Sequence, residues 1–181
     1  MLIPKAAKRY AQALYTQASD KGVLENVLKD SQLIGSIVNE SRELQVFLKN
    51  QIISKQKKRD VLDNVFSGSV SETTHSLINL LLEKSREDQL GSVAKAFIDT
   101  YNLHHGIVVA EVRHAKELDQ KQVDALKKAL EQRTGKTVDL KFIEDPSLIG
   151  GLTIKMGDTV IDGSVKNKIH KLDALFHGTA A

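Results

Sequence analysis

The sequence predicts an α+β protein in two parts: an N-terminal six-helix bundle over residues 1–104 and a small α/β domain over residues 105–181. Three observations carry this reading. From residue 4 to about 104 the apolar residues recur with a helical period almost without interruption. After His104-His105-Gly106 the period falls to two. A chain of 181 residues is also long enough to fold around two separate cores.

Pro4 suits a first helical turn, where its missing N–H costs nothing, and Ala7, Tyr10, Ala11, Leu14 and Ala18 then form one stripe. The small residues of that stripe permit close approach by another helix. Gly22 interrupts it. A second stripe runs through Val23, Leu24, Val27, Leu28, Leu33, Ile34, Ile37 and Val38, and a short third segment carries Leu44, Phe47 and Leu48. Ser54 is expected to cap a fourth helix bearing Val61, Leu62, Val65 and Phe66, which Gly68 stops. Ser69 and Glu72 have the spacing of a capping box for a fifth helix with Leu77, Ile78, Leu80, Leu81 and Leu82, apolar on more sides than a core needs. A sixth uses Leu90, Val93, Ala94, Phe97, Ile98 and Tyr101. Short connections between about six helices are the pattern of a bundle.

Val108, Ala110 and Val112 then alternate with Val109, Glu111 and Arg113, as in a half-buried strand. Asp119 and Gln122 supply a capping box, Val123, Leu126, Ala129 and Leu130 an inward helical stripe, and Gly135 its end. Val138, Leu140 and Phe142 alternate again. Asp145-Pro146-Ser147 is turn chemistry, and Gly150-Gly151 permits a tight bend before Leu152, Ile154 and Met156. Gly157-Asp158 joins that strand to Val160-Ile161-Asp162 as a hairpin, and Ser164 caps a last helix with Val165, Ile169, Leu172, Leu175 and Phe176 on one side.

Composition narrows the function. Net charge is +3 and divides evenly, with 14 basic and 12 acidic residues up to residue 104 and 12 and 11 after it. No basic domain stands out, Trp is absent, and Phe and Tyr number five and three, so nothing calls for nucleic acid. The absence of cysteine excludes disulfides and thiolate chemistry and fits a reducing compartment. No apolar run approaches the roughly 20 residues of a membrane span, and the N-terminus reads as a helix, not a signal peptide. A cytosolic location is expected, with no direct membrane insertion.

The stretch Gly157-Asp158-Thr159-Val160-Ile161-Asp162-Gly163-Ser164-Val165 has the look of a catalytic or phosphate-gripping loop. It lacks the Gly-Lys-Ser/Thr ending of a P-loop, and Gly135-Lys136-Thr137 ends a helix instead of starting one. A turn, a sharp strand-to-helix change at Gly163 and a cap at Ser164 explain every residue of it. A small phosphotransfer or hydrolytic enzyme using Asp158, Asp162 and Ser164 is the competing reading. The six histidines show no metal-ligand spacing and are expected to be exposed. Lys55, Lys57, Lys58 and Arg59 are expected on a solvated helix face, with a nucleic-acid adaptor as the alternative. No catalytic residue, cofactor site or metal site is predicted. The remaining signal is apolar excess on the first and fifth helices, read as core packing or as a groove for a partner's amphipathic helix.

The C-terminal run from Gly150 to Leu172, with its block Ile161-Asp162-Gly163-Ser164-Val165, closely resembles the signature of the bacterial ATP synthase delta subunit family, whose mitochondrial counterpart is the oligomycin-sensitivity-conferring protein. Arg9-Tyr10-Ala11, Ala13-Leu14 and Leu80-Leu81-Leu82-Glu83-Lys84 extend the resemblance over essentially the whole chain. Ser85 stands where the family commonly has Gly, and Lys166-Asn167-Lys168 where it has Arg-Gly-Arg or similar. The resemblance implies a non-catalytic stator subunit, one copy per complex, on the cytoplasmic face of the cell membrane. It implies that the bundle takes the N-terminal helix of an alpha subunit between its first and fifth helices, at Tyr10, Ala11, Leu14, Ala18, Leu77, Leu80 and Leu81. It implies that the C-terminal domain meets the C-terminal region of the b subunits in the peripheral stalk, for which Val165, Ile169, Leu172 and Phe176 are the expected contacts.

Overall fold

The computed structural model describes residues 3–66 and 68–169, an α+β chain that divides into two compact units, one ending at His104 and the other beginning at His105. In the first unit the α-helices are α1 (Lys5–Asp20), α2 (Leu24–Glu40), α3 (Arg42–Lys49), α4 (Lys55–Phe66), α5 (Glu72–Glu83) and α6 (Leu90–His104), with a 3-10 turn at Glu87–Gln89.

α1 buries Ala7, Ala11, Leu14 and Ala18, spaced at one helical face, and packs mainly on α6, which buries Leu90, Val93, Ala94, Ala96 and Phe97. α6 also lies on α2, and at Gly91 the approach is so close that an added Cβ would stand 2.9 Å from Val38 Cγ1. Phe66 and Phe97 are the largest side chains closed off in this core.

Two local expectations are corrected here. The cap of α5 is Ser71, not Ser69: Ser71 Oγ accepts from Thr74 N at 3.4 Å. The reason lies on α2, where the buried Asp30 carboxylate accepts from Ser71 N (2.8 Å), Ser71 Oγ (2.6 Å) and Thr74 Oγ1 (2.7 Å). Nor is the basic run wholly solvated. Lys58, Leu62 and Phe66 follow one another at i, i+4 and i+8, so Lys58 points inward and is 2% exposed. Its ammonium donates to Leu48 O at 2.8 Å and pairs with Glu87 Oε1 at 2.5 Å. Ser54 caps α4 as the sequence predicts, accepting from Lys57 N at 3.4 Å.

The second unit is a four-stranded sheet in the order β2-β1-β3-β4, with β1 Ile107–His114, β2 Thr137–Glu144, β3 Leu152–Met156 and β4 Thr159–Asp162. β1 and β2 run parallel and are joined through α7 (Gln120–Thr134), while β3 pairs antiparallel with both β1 and β4. The capping box of Asp119 and Gln122 opens α7, and Gly135 closes it at φ +66°. Ala110, Val112, Val138 and Ile154 lie on the sheet face that α7 covers with Leu130. The alternate residues Glu111, Arg113, Thr153 and Lys155 occupy the other face. β3 and β4 meet through the two-residue turn Gly157-Asp158, with Gly157 at φ +55°.

His114 corrects the expectation of exposed histidines. Two residues beyond Val112, it shares the core face of β1, is 8% exposed, and sets its ring edge-on to Phe142 with centroids 5.9 Å apart. At the end of β4 the backbone turns helical over 165–169, and the rest of the predicted last helix, with Leu172, Leu175 and Phe176, lies outside the described residues.

Candidate partner-binding surfaces

Most of the apolar stripe on which a groove was expected is already used by the first unit itself. Ala11, Leu14 and Ala18 on α1 are 0%, 3% and 0% exposed, and Leu77 and Leu81 on α5 are 9% and 1% exposed. Five of the seven expected contacts are therefore buried in the first unit's own core. Tyr10 is half-buried and Leu80 is 39% exposed, and these two meet solvent. At about 100° per residue, Tyr10 shares its flank of α1 with Ala6 and Ala13, and Leu80 shares its flank of α5 with Ser76 and Lys84. α1 and α5 are in contact within the first unit.

The end of α5 also reaches α1. Arg86 N donates to Leu81 O at 2.8 Å and Ser85 N to Leu82 O at 3.1 Å, the paired bonds of a Schellman termination. That motif needs a left-handed residue, and Ser85 takes the position at φ +53°. The chain so directed brings Arg86 to α1: Cζ lies 5.8 Å from the Tyr10 ring centroid, and Nη1 donates to Tyr10 Oη at 3.4 Å. Sequence reasoning missed Arg86, for which a Gly-preferring position filled by Ser85 was the available signal.

In the second unit the stretch from Gly157 to Val165 is a joint. Asp162 Oδ1 accepts from Ser164 N at 2.9 Å, and Ser164 Oγ accepts from Asn167 N at 3.1 Å. Ser164 is 2% exposed, so its hydroxyl serves the helix start and meets no substrate. Gly163 O sits 2.5 Å from where a Cβ on Gly151 would fall, which explains the glycine at φ +77°. Among the described residues no cluster of His, Cys, Asp or Glu could hold a metal ion. With Lys58 in the core, α4 also lacks the continuous basic face that an adaptor for phosphate backbones requires.

Of the expected stalk contacts, Val165 and Ile169 are 37% and 47% exposed, whereas Leu172 and Phe176 lie outside the described residues. The open sheet face carries a shallow depression lined by Glu111, Arg113, Asp145, Leu148, Thr153, Lys155 and Val160. Within it Arg113 pairs with Glu111 at 2.9 Å and approaches Asp145 at 3.9 Å. The Ser147 hydroxyl, donating at 2.6 Å, holds the Asp145 carboxyl below its usual value, with smaller help from the Ser147 N–H and Arg113.

Comparison with known proteins places the chain in a family. The family model described as "ATP synthase delta (OSCP) subunit" matches residues 6–176. The ATP synthase subunit delta of Symbiobacterium thermophilum is 36% identical over 172 residues, covering 95% of this chain and 92% of the relative. That of Chlorobaculum tepidum is 37% identical over 176 residues, covering 97% and 96%. Among solved structures, a chain of the Toxoplasma gondii mitochondrial ATP synthase hexamer superimposes with a TM-score of 0.73 at 27% identity, covering 96% of this chain and 98% of that one.

Proposed function

The chain belongs to the ATP synthase delta (OSCP) subunit family, and from that premise we propose which of its surfaces hold the neighbouring subunits. The chain is a non-catalytic stator subunit of ATP synthase, linking the catalytic head to the peripheral stalk. The physical demand follows from rotation. A rotor forces conformational change in the head only while the head is kept from turning with it, so a static link must resist torque and catalyses nothing.

In our reading the six helices act as one bundle on the catalytic head, and the α1/α5 groove receives the amphipathic N-terminal helix of one alpha subunit. Tyr10 and Leu80 are its apolar contacts, while Ala11, Leu14, Ala18, Leu77 and Leu81 support the groove floor from within. The unit beginning at His105 meets the C-terminal region of the b subunits, with Val165 and Ile169 among its contacts. One copy serves each complex, held at the cytoplasmic face of the membrane. Among the described residues no helix is long and apolar enough to cross a membrane. Nanomolar attachment is worth about −12 kcal/mol, within reach of a standard interface of roughly 1,600 Å².

The observation that supports the groove is solvent exposure of an apolar or aromatic side chain on each of two helices in contact, Leu80 on α5 and the half-buried Tyr10 on α1. The test is titration calorimetry of the full chain with a peptide of the alpha subunit's first twenty or so residues. Leu80→Asp is expected to weaken binding at least tenfold with the helical CD spectrum unchanged; full-strength binding by that variant refutes the groove assignment.

A further inference from the structure

We propose that Arg86 is the residue of the α1/α5 groove that reads a carboxylate on the bound helix, an inference that rests on the groove reading above and specifies the partner's chemistry. The backbone sets the point from which Arg86 reaches α1. The bond from its N–H to Leu81 O and the left-handed Ser85 fix where it leaves α5. Its guanidinium then rests over the Tyr10 ring, giving Tyr10 Oη one N–H at the long distance of 3.4 Å. A guanidinium carries five N–H donors in a planar fork suited to a carboxylate. Among the described residues no carboxylate pairs with it. The cation–π contact and the long bond to Tyr10 Oη hold the fork near α1 before a partner arrives, which reduces the ordering cost of forming a two-pronged ion pair.

The surrounding charge gives the sign of the missing group. α1 bears Lys5, Lys8 and Arg9 in its first two turns and no acidic residue until Asp20. At the other side of the groove Lys84 precedes Arg86, and Lys55 Nζ caps Glu83 O at 3.0 Å. The acid that follows in sequence, Glu87, is consumed in the core by Lys58, leaving Glu83 and Asp88 as the exposed carboxylates nearby. Cations outnumber acids along this rim, and the apolar width offered by Tyr10 and Leu80 is narrow. A helix that settles here is therefore amphipathic with Asp or Glu on the flank that meets Arg86, and a basic flank is rejected.

The experiment uses the full chain and the alpha-subunit N-terminal peptide, titrated at about 50 and 300 mM salt. Wild type is expected to bind more weakly at the higher salt. Arg86→Gln should weaken binding about twofold to fivefold, the range of an exposed ion pair. Arg86→Glu should lose more than tenfold at low salt, with most of the salt dependence gone. Single Asp or Glu to Lys changes along the peptide then locate the reader's partner: one of them should bind Arg86→Glu better than wild type. If wild type binds while Arg86→Glu binds equally well with the same salt dependence, the inference is overturned and the groove survives. If wild type binds no peptide, the groove reading itself is overturned, and with it this inference.

Discussion

Removing Lys58 alone should be among the most damaging single changes in the first unit. Its ammonium is enclosed between Leu48 O and Glu87 Oε1, and the Glu87 side chain is only 9% exposed, with Oε2 buried and lacking a hydrogen-bond partner. Lys58→Met keeps the length and apolar stem of the side chain but strands a carboxylate in the core. Breaking a buried pair in this way costs about 3–5 kcal/mol, since the surviving charge retains its desolvation penalty without its partner. Replacing both members, as Lys58→Met with Glu87→Leu, removes that penalty. The double variant should then sit within about 1–2 kcal/mol of wild type, the residue of the loss being the unmet Leu48 carbonyl. Urea unfolding of the full chain, followed at 222 nm where the helices dominate, measures all three. At a slope near 2 kcal/mol per molar, the single change should lower the midpoint by roughly 2 M. A shift under about 0.5 M, or a double variant no better than the single, would refute the reasoning.

The other predictions concern backbone and titration. Gly151→Ala should cost about 2–4 kcal/mol and abolish the second unit's melting transition in calorimetry, because φ is +77° and the new methyl meets Gly163 O at 2.5 Å. Ser85→Gly should stabilise the first unit by about 1 kcal/mol, raising its Tm by roughly 4–8 °C, because a left-handed serine at φ +53° is relieved. Asp145 should titrate below 3.8 by carboxyl-carbon NMR, and Ser147→Ala should move it upward. A depressed carboxylate stabilises the fold above its unfolded pKa and loses that contribution as pH falls through the folded one, so the effect is confined to acid below about pH 4.

Secondary structure was legible where one local rule acted alone. The capping box at Asp119 and Gln122, the left-handed Gly135 and the Gly157-Asp158 turn are all short-range chemistry, and the structure has them where the sequence places them. The reading failed where a distant residue decided. Ser69 and Ser71 are equally good caps by themselves, and Asp30, on α2, selects Ser71. Lys58 looks solvated in a run of four cations, until its i, i+4, i+8 relation to Leu62 and Phe66 turns it inward toward Glu87. His114 follows the same logic at a period of two.

The proposed groove meets the same limit in the reverse direction. Helical periodicity marks which residues are apolar together, yet a bundle consumes the centre of each stripe and leaves its flank. Leu81 at 1% exposed and Leu80 at 39% are neighbours in sequence with opposite uses. Leu81→Asp would break the core and so reports on folding, while Leu80→Asp reports on binding. Fully burying a leucine yields about 1.5–3 kcal/mol, and Leu80 has under half its surface left to bury, so it supplies about 1 kcal/mol. Tyr10, already half-buried, supplies a similar amount. Micromolar binding needs about −8 kcal/mol, several times that sum, before the cost of ordering a partner helix. The remainder has to come from the partner's own apolar face closing over Ala6 and Ala13, and from charge at the rim. An exposed ion pair at Arg86, worth about 1 kcal/mol or less, does not close that deficit. On the groove reading the guanidinium therefore selects among helices by disfavouring a basic flank and leaves the bulk of the affinity to apolar contact.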